Sequence, residues 1–226
     1  MNDSVSVVVT SCGRFDLLYR TLESFFKFNS YGNVTQLIVI DDSGHSDVAR
    51  DILEKMLGSL RDTLAIEIII NNENLGQVKS IDLAYSRVTN PLIFHLEDDW
   101  EFYRQGFIEH SYEILAAYPW IVTVWLRAHT DTMGHPIEFV DHLPFGLLTL
   151  NYLRCYHGFT WNPGLRREKD YRLVQSFSEH APGEALAGIW YMRNGYRAAM
   201  SCVQEGFVRH IGWERSTAGM PGTKKA

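Results

Sequence analysis

The chain has 226 residues, of which 46% are hydrophobic, and its formal net charge at pH 7 is -6. This length and apolar content suffice for one α/β domain, and the negative charge argues against a partner bound through long stretches of nucleic-acid phosphate. Cys12, Cys155 and Cys202 lack any C-x-x-C spacing, so neither a disulfide framework nor a structural zinc site is indicated, and a reduced cytoplasm is the expected compartment.

The first half of the chain alternates apolar runs with helical patterns. Short aliphatic runs predict strands at 5–10, 37–40, 65–70, 92–96 and 121–126. Apolar residues at helical spacing predict helices at 15–28, 46–60, 77–87 and 105–118. Strands joined by helical crossovers indicate an α/β fold with a mainly parallel sheet that is buried on both faces.

The second half of the chain has a looser pattern. Short apolar runs lie at 147–150, 159–161, 198–203 and 207–211. A helical stretch near 184–194 ends at Asn194-Gly195, where glycine accepts the left-handed conformation of a helix C-cap. We expect one domain over 1–226, made of an α/β half at 1–101, a mixed α+β half at 102–215 and a flexible tail at 216–226.

Polar residues follow each of the first four predicted strands. These segments are 10–14 (TSCGR), 41–44 (DDSG), 71–76 (NNENLG) and 97–100 (EDDW). Ligands of an open parallel sheet bind beyond the carboxyl ends of its strands, so the four segments should converge on one site. Each segment alone also fits an ordinary turn, because Asp, Asn, Ser and Gly favour turns.

The acidic triplet Glu97-Asp98-Asp99 is the sharpest of these signals. Three adjacent carboxylates repel one another unless a cation neutralises them, and hard oxygen ligands suit Mg2+ or Mn2+, which also bind substrate phosphates. The alternative is a solvated acidic turn that opens the next helix, where carboxylates favour the positive helix terminus.

Four stretches together resemble the glycosyltransferases of family 2 and their relatives of the GT-A fold, the nucleotide-diphospho-sugar transferase superfamily. In chain order they are VSVVVTSCGR, LIVIDDSG, NNENLGQ and LIFHLEDDW. The resemblance implies a mainly parallel, Rossmann-like sheet flanked by helices, with a mixed α+β half on the acceptor side. The half at 1–101 would then bind the nucleotide sugar, and the half at 102–215 would hold the acceptor and the catalytic base.

The resemblance also implies roles for single residues of the first half. Thr10 and Arg14 would lie near the nucleobase, and Asp41 would contact the nucleoside. Asn74 and Gly76 would shape the floor of the pocket. The full set of nucleotide-sugar-binding candidates is Thr10, Ser11, Arg14, Asp41, Asn74, Gly76, Lys79, Glu97, Asp98, Trp161 and Arg209.

The metal site implied by the resemblance joins the triplet to the end of the chain. Glu97 would face the ribose or the metal, and Asp99 would ligate the metal. FVRHIGWERS resembles the late segment in which some GT-A enzymes place a histidine ligand, so His210 would complete the site beside Arg209. A lone histidine is also a common structural residue.

GFTWNPGLRR resembles the segment that packs beside the donor sugar in these enzymes. Trp161 offers a ring face that can stack on a sugar, although a buried core tryptophan is the alternative. Arg166 and Arg167, with Arg209, are candidates to neutralise phosphate charge.

GEALAGIWYMRNGYRAAM resembles the region that supplies the catalytic base of inverting members, usually an Asp that follows a Glu. Glu184 matches the Glu, but Ala185 stands where the Asp is expected. Glu184 is therefore our first candidate for the base and Glu179 the second, with inversion or retention left open. The alternative makes Glu184 a first-turn residue stabilised by the helix dipole.

These features predict an EC 2.4 glycosyltransferase of glycan or polysaccharide biosynthesis. It would use Mn2+ or Mg2+ to move a sugar from a nucleoside-diphosphate sugar, with uridine preferred, to a hydroxyl acceptor on a glycan or small molecule. We expect no signal peptide and no membrane span, because no window reaches about 18 uninterrupted apolar residues.

Two other functions stay open. A sugar nucleotidyltransferase would have a glycine-rich loop after the first strand, where this chain has only Gly13. A non-catalytic nucleotide- or carbohydrate-binding module would keep the fold and lose the base, as Ala185 permits. A dehydrogenase is disfavoured, because no G-x-G-x-x-G follows the first strand.

Overall fold

The computed structural model describes residues 3–215, which form three β-sheets and their covering helices. The strands are, in chain order, β1 (Val5–Ser11), β2 (Val34–Asp41), β3 (Ala65–Ile70), β4 (Leu92–Glu97), β5 (Trp100–Phe102), β6 (Ile121–Trp125), β7 (Ile137–Phe139), β8 (Gly146–Leu148), β9 (Gly164–Arg167), β10 (Arg197–Met200) and β11 (Val208–His210). The helices are α1 (Phe15–Phe28), α2 (Ser46–Leu57), α3 (Gln77–Tyr85), α4 (Phe107–Ala117), α5 (Glu168–Val174), α6 (Phe177–His180) and α7 (Glu184–Arg193), with single 3-10 turns at Gly58–Leu60 and Trp213–Arg215.

The main sheet has the strand order β3-β2-β1-β4-β9. The first four strands are parallel, and β9 runs antiparallel to β4. In the register of β1, Thr10 lies opposite Glu97 on one side and Ser11 lies opposite Asp41 on the other. The carboxyl ends of these strands therefore meet at one edge, as the sequence predicts.

Both faces of the main sheet are largely buried, except at the edge strand β3, which is partly buried. Successive strand residues point to opposite faces, so Val7 and Val9 belong to one apolar cluster and Val8 to the other. α1, α2 and α4 cover the first face, and α3, α5, α6 and α7 cover the second. α1 does so through a stripe at helical spacing that contains Leu18 and Leu22.

A second sheet of four strands has the order β6-β10-β8-β7. We expected β6 to extend the parallel sheet after α4, and this expectation was wrong. The place beside β4 is taken by β9, in which Gly164 lies opposite His95, so β6 instead pairs in parallel with β10. The mixed second half and the mainly parallel first half confirm the predicted fold class.

The third sheet is an antiparallel ribbon of β5 and β11, in which His210 lies opposite Trp100. It returns the late part of the chain to the acidic triplet. The expected division at residue 101 falls inside β5, and the expected flexible tail at 216–226 lies outside the described residues. Over residues 3–215, every helix is too short or too polar to cross a membrane.

Candidate active site

Arg14 joins the loop after β1 to the acidic triplet. Its guanidinium pairs side-on with Asp98, where Nε lies 3.2 Å from Oδ2 and Nη2 contacts Oδ1. Its Nη1 lies 2.8 Å from Oδ2 of Asp99. Burial raises the pKa of Asp98 to about 6, against the opposing charge of Arg14. Arg14 thus neutralises part of the charge that three adjacent carboxylates gather.

Asp99 also contacts His210, whose Nε2 atom lies 3.2 Å from Oδ2. The backbone fixes this contact, because the N–H of Ile211 donates to the carbonyl of Asp99 over 2.8 Å. The Asp99 carboxylate lies against Gly212 and fills the space that a Cβ atom at position 212 would need. Burial alone would raise the pKa of Asp99, but the hydrogen bond from His210 and the charge of Arg14 hold it below its usual value.

Glu97 is half-buried and faces a fourth carboxylate, that of Glu184. Its Oε1 accepts a hydrogen bond from Nε2 of Gln77 at 2.8 Å, and its Oε2 accepts one from the indole of Trp100 at 3.2 Å. Burial, the charge of Glu184 and the charge of Asp99 together raise the pKa of Glu97 to about 8. This shift favours the protonated form of Glu97 in the ligand-free protein.

The Asp99–His210 pair suits a divalent metal that shares its coordination with a substrate. Among residues 3–215, no group of three or more His, Cys, Asp or Glu converges as a complete cage for an ion. Mg2+ and similar ions are commonly held by one or two protein ligands together with substrate phosphates and water. A carboxylate and an imidazole that already meet at the strand edge fit such a site.

Asp41 ties the loops after β1 and β2 together. It is fully buried. Its Oδ2 accepts from the N–H of Gly13 at 2.8 Å, and its Oδ1 accepts from the N–H of Ser43 at 3.1 Å and from the Ser43 hydroxyl. The carboxylate thus fixes the loops after β1 and β2 relative to each other. Its direct contact with a nucleoside stays a prediction.

Asp42 builds the loop after β3, a role that the sequence did not reveal. Its Oδ1 accepts from Nδ2 of Asn71 at 2.7 Å and from the N–H of Leu75 at 2.8 Å, and its Oδ2 accepts from Gly76 at 2.8 Å. Asn74 donates to the Asp42 carbonyl at 2.9 Å. The signal was the second carboxylate of DDSG, but sequence does not tell which of two adjacent side chains turns toward which loop.

The remaining donor-side candidates lie at the same edge with different exposures. Thr10 and Ser11 are buried, and the Thr10 hydroxyl donates to the carbonyl of Leu96 at 3.4 Å. Lys79 lies exposed near the start of α3 and forms no ion pair with any residue from 3 to 215. Lys79 is therefore a cation near the strand edge that no carboxylate of the described chain neutralises.

Glu184 is the candidate base that the structure brings to this edge. It is the first residue of α7 and is exposed, and its Oε1 accepts from the Thr160 hydroxyl and the Trp161 N–H, both at 2.6 Å. Glu179 lies on α6 with its side chain 76% exposed, and within the described chain its only ion-pair partner is His180. The structure therefore favours Glu184 over Glu179.

Trp161 does not offer a sugar-stacking face, and the alternative expectation of a buried core tryptophan is confirmed. Its ring is buried, 5.9 Å from the Phe159 ring and 5.7 Å from the Phe177 ring. The apolar run at 159–161 fills the core between β4 and α7 instead. Trp161 reaches the site only through its backbone N–H.

Two of the three arginines expected to contact phosphate have structural roles instead, and the third, Arg209, is exposed, so its contact with phosphate stays a prediction. Arg166 and Arg167 lie opposite Ile93 and Leu92, at the start of β4 and away from the site edge. Arg167 is buried and pairs with Asp170. Arg209 donates to Glu101 at 2.6 Å, and strand alternation places its side chain on the face of β11 opposite to His210.

Trp213 is a site residue that the sequence did not single out. Its ring centroid lies 4.4 Å from that of His210, and the residue is 59% exposed. The buried guanidinium of Arg127 lies 5.0 Å from the Trp100 ring centroid and 6.0 Å from that of Trp213. An apolar face therefore stands beside the Asp99–His210 pair. The aromatic residue in HIGWERS was the available signal.

Solved structures share this fold at low sequence identity. A mannosyltransferase, PcManGT from Pyrobaculum calidifontis in complex with GDP-Man and Mn2+, has a TM-score of 0.67 at 13% identity, over 90% of this chain and 58% of that chain. TarS 1-349 from S. aureus has a TM-score of 0.64 at 15% identity, over 92% of this chain and 60% of that chain. GalNAc-T7 with UDP, GalNAc and Mn2+ has a TM-score of 0.67 at 10% identity, over 92% of this chain and 43% of that chain.

This chain spans less than two thirds of the length of each of those structures. A search of curated protein sequences finds no match. The family model described as Glycosyl transferase family 2 matches residues 6–174, which is most of the 226-residue chain. The chain therefore belongs to glycosyl transferase family 2 and has the GT-A fold that the sequence predicts.

Proposed function

We propose that this chain is the catalytic unit of a metal-dependent glycosyltransferase that moves a sugar from a nucleoside-diphosphate sugar, with uridine preferred, to a hydroxyl acceptor in glycan or polysaccharide biosynthesis. The observation that carries the proposal is the meeting of Asp99 and His210 at the carboxyl edge of the main sheet, with Glu184 facing Glu97 there. Two structures of the same fold, by their names, contain Mn2+ with a nucleotide or nucleotide sugar.

The donor site follows from the residues at this edge. A metal held by Asp99 and His210 would neutralise the charge that develops on the departing diphosphate. The exposed ammonium of Lys79 is placed to attract the same anion. The loops that Asp41 and Asp42 hold in place would surround the nucleoside. Arg14 holds the loop after β1 against the acidic triplet.

The acceptor step needs a carboxylate that takes a proton. In an inverting reaction the acceptor oxygen bonds to the anomeric carbon while the bond from that carbon to the diphosphate oxygen breaks, and the acceptor's proton passes to the base. The protonated form of Glu97 is favoured in the ligand-free protein, because its pKa is raised to about 8. Glu184 is the carboxylate opposite it and is our proposed base.

Product analysis tests this function. The purified protein is incubated with a panel of nucleoside-diphosphate sugars, with and without Mn2+, and the released phosphate compounds are identified. We expect nucleoside diphosphate in the presence of Mn2+. Release of pyrophosphate would indicate a sugar nucleotidyltransferase. Nucleotide binding without donor hydrolysis or transfer across the panel would indicate a binding module.

Paired glutamate variants test the assignment of the base. Glu184→Gln should lower kcat by at least about 100-fold, in the range typical of general-base removal. Glu179→Gln is the matched control and should leave kcat within about 2-fold, because the Glu179 side chain is exposed and pairs only with His180 among residues 3–215. If Glu179→Gln lost activity and Glu184→Gln kept it, Glu179 would be the base.

A further inference from the structure

The carboxylate of Glu184 is bonded asymmetrically. Its Oε1 atom receives two hydrogen bonds of 2.6 Å, one from the Thr160 hydroxyl and one from the Trp161 N–H. Its Oε2 atom accepts no hydrogen bond from any residue between 3 and 215. An exposed glutamate would ordinarily sample several rotamers, whereas this carboxylate has one oxygen fixed and one oxygen open.

The direction of the Thr160 hydrogen bond follows from its neighbours. The hydroxyl oxygen accepts from the N–H of Asn162 at 3.2 Å. A hydroxyl has a single hydrogen, and Glu184 Oε1 is the acceptor at 2.6 Å, so the hydroxyl donates to the carboxylate. Donation to a charged oxygen is stronger than a neutral hydrogen bond, which favours a fixed Glu184.

The segment that carries these two donors is itself anchored. The Thr160 carbonyl accepts from the guanidinium of Arg166, which is buried and lies 5.2 Å from the ring of Phe159. Phe159 and Trp161, on either side of Thr160, are buried in the second apolar cluster. Thr160 therefore lies on a segment that packing and the Arg166 hydrogen bond hold in place. Through its hydroxyl it restrains Glu184, the first residue of α7.

We propose that Thr160 is a positioning residue for Glu184, which fixes Oε1 and leaves Oε2 as the oxygen that accepts the acceptor's proton. The inference rests on the proposed function, since it assigns Glu184 the role of base. Reaction rates respond steeply to such placement, and a misplacement of about 1 Å can cost about 100-fold. The hydroxyl acts through Glu184 and does not itself contact the donor.

Threonine variants separate positioning from a merely structural contact. Thr160→Val keeps the branched shape and removes the hydroxyl, and Thr160→Ser keeps the hydroxyl and removes the methyl group. We expect Thr160→Val to lower kcat by about 10- to 100-fold with the donor KM within about 2-fold of wild type. Thr160→Ser should restore kcat to within about 3-fold. Thr160→Ala replaces Thr160→Val if the valine variant does not fold.

A double variant tests whether Thr160 acts through Glu184. In the Glu184→Gln background, Thr160→Val should change the residual kcat by less than about 2-fold, because residues that act as a unit are not additive. A further 10-fold loss there would overturn the inference, as would a Thr160→Val enzyme with wild-type kcat. An increase in donor KM with unchanged kcat would equally overturn it.

The failure of this inference differs from failure of the proposed function. If Glu184→Gln retains wild-type kcat, Glu184 is not the base and the proposed mechanism fails. If Glu184→Gln loses activity while Thr160→Val keeps it, the mechanism stands and only the role of Thr160 is rejected.

Discussion

The Nε2 atom of His210 lies 3.2 Å from Oδ2 of Asp99, although one residue lies on the last strand and the other follows the fourth. The β5–β11 ribbon creates this contact, because it sets His210 opposite Trp100, the residue that follows Asp99. The hydrogen bond between Ile211 and the Asp99 backbone then holds it. The proposed metal site is thus a property of strand pairing as much as of the acidic triplet.

Removing the imidazole should weaken metal binding. His210→Ala is expected to lower the affinity for Mn2+, measured by calorimetry in the presence of nucleoside diphosphate, by at least about 10-fold. Mutation of a residue that only hydrogen-bonds to a metal ligand already lowers metal affinity by about this factor, so loss of a ligand should lower it at least as much. The control is His180→Ala, a half-exposed histidine of α6. Equal affinities for the two variants would show that His210 is not a ligand.

Gly212 should be required for the same pair. A Cβ atom there would meet the Asp99 carboxylate, so Gly212→Ala must push Asp99 away from His210. We expect loss of Mn2+ affinity of at least about 10-fold. Gly32→Ala is the matched control, because a Cβ atom at Gly32 has nothing within 4 Å. Unchanged affinity in Gly212→Ala would mean that the loop relaxes without moving Asp99.

Glu97 should make the ligand-free protein less stable as pH rises. Its folded pKa of about 8 lies above the ordinary glutamate value of 4.5, so the folded state binds the proton more tightly, and stability falls as pH rises through the folded value. Asp98, with a pKa of about 6, acts in the same direction at lower pH.

The clearest window for this effect lies between about pH 7 and about pH 8.5, above the titration of Asp98. There Tm should fall for wild type and fall less for Glu97→Gln, which keeps the hydrogen-bonding shape without a titrating group. Parallel Tm profiles of the two proteins in that window would refute the assignment of the proton to Glu97.

Asp42 should contribute to stability through the loop after β3. Asp42→Ala removes the acceptor of the Leu75 and Gly76 N–H groups and of the buried Asn71 amide. Urea unfolding should show a loss of about 2–3 kcal/mol, because donors that lose their acceptor carry a desolvation cost. Asp51→Ala, at an exposed position of α2, should change stability by less than about 0.5 kcal/mol. A similar small loss at Asp42 would refute its role as the organiser of this loop.

Local elements were well predicted because burial and spacing are local signals. The helix predicted at 15–28 matches α1 at both ends, and the strand predicted at 65–70 matches β3. Apolar residues recur there at the period that each element buries. The position of the site then followed from the polar loops, because the carboxyl ends of parallel strands lie at the same edge of the sheet.

Pairing partners were predicted less well, since periodicity does not report which strand lies beside which. β6 was assigned to the wrong sheet, and β9 was not predicted, so Arg167 was expected at the site although it lies at the start of β4. The predicted sugar-stacking role of Trp161 was not found for a similar reason, because sequence does not distinguish a buried aromatic ring from an exposed one. The Asp99–His210 contact was anticipated only through the family resemblance.

The central claim is that the Asp99–His210 pair holds the metal. The most direct test compares wild type with Asp99→Asn by calorimetric titration of nucleoside diphosphate, with and without Mn2+. Wild type should bind the diphosphate at least about 10-fold more tightly with Mn2+, and Asp99→Asn should lose that dependence while it retains the wild-type Tm within a few degrees. Asp51→Asn serves as the control at an exposed position of α2. A metal dependence that persists unchanged in Asp99→Asn would contradict the proposal that the Asp99–His210 pair holds the metal.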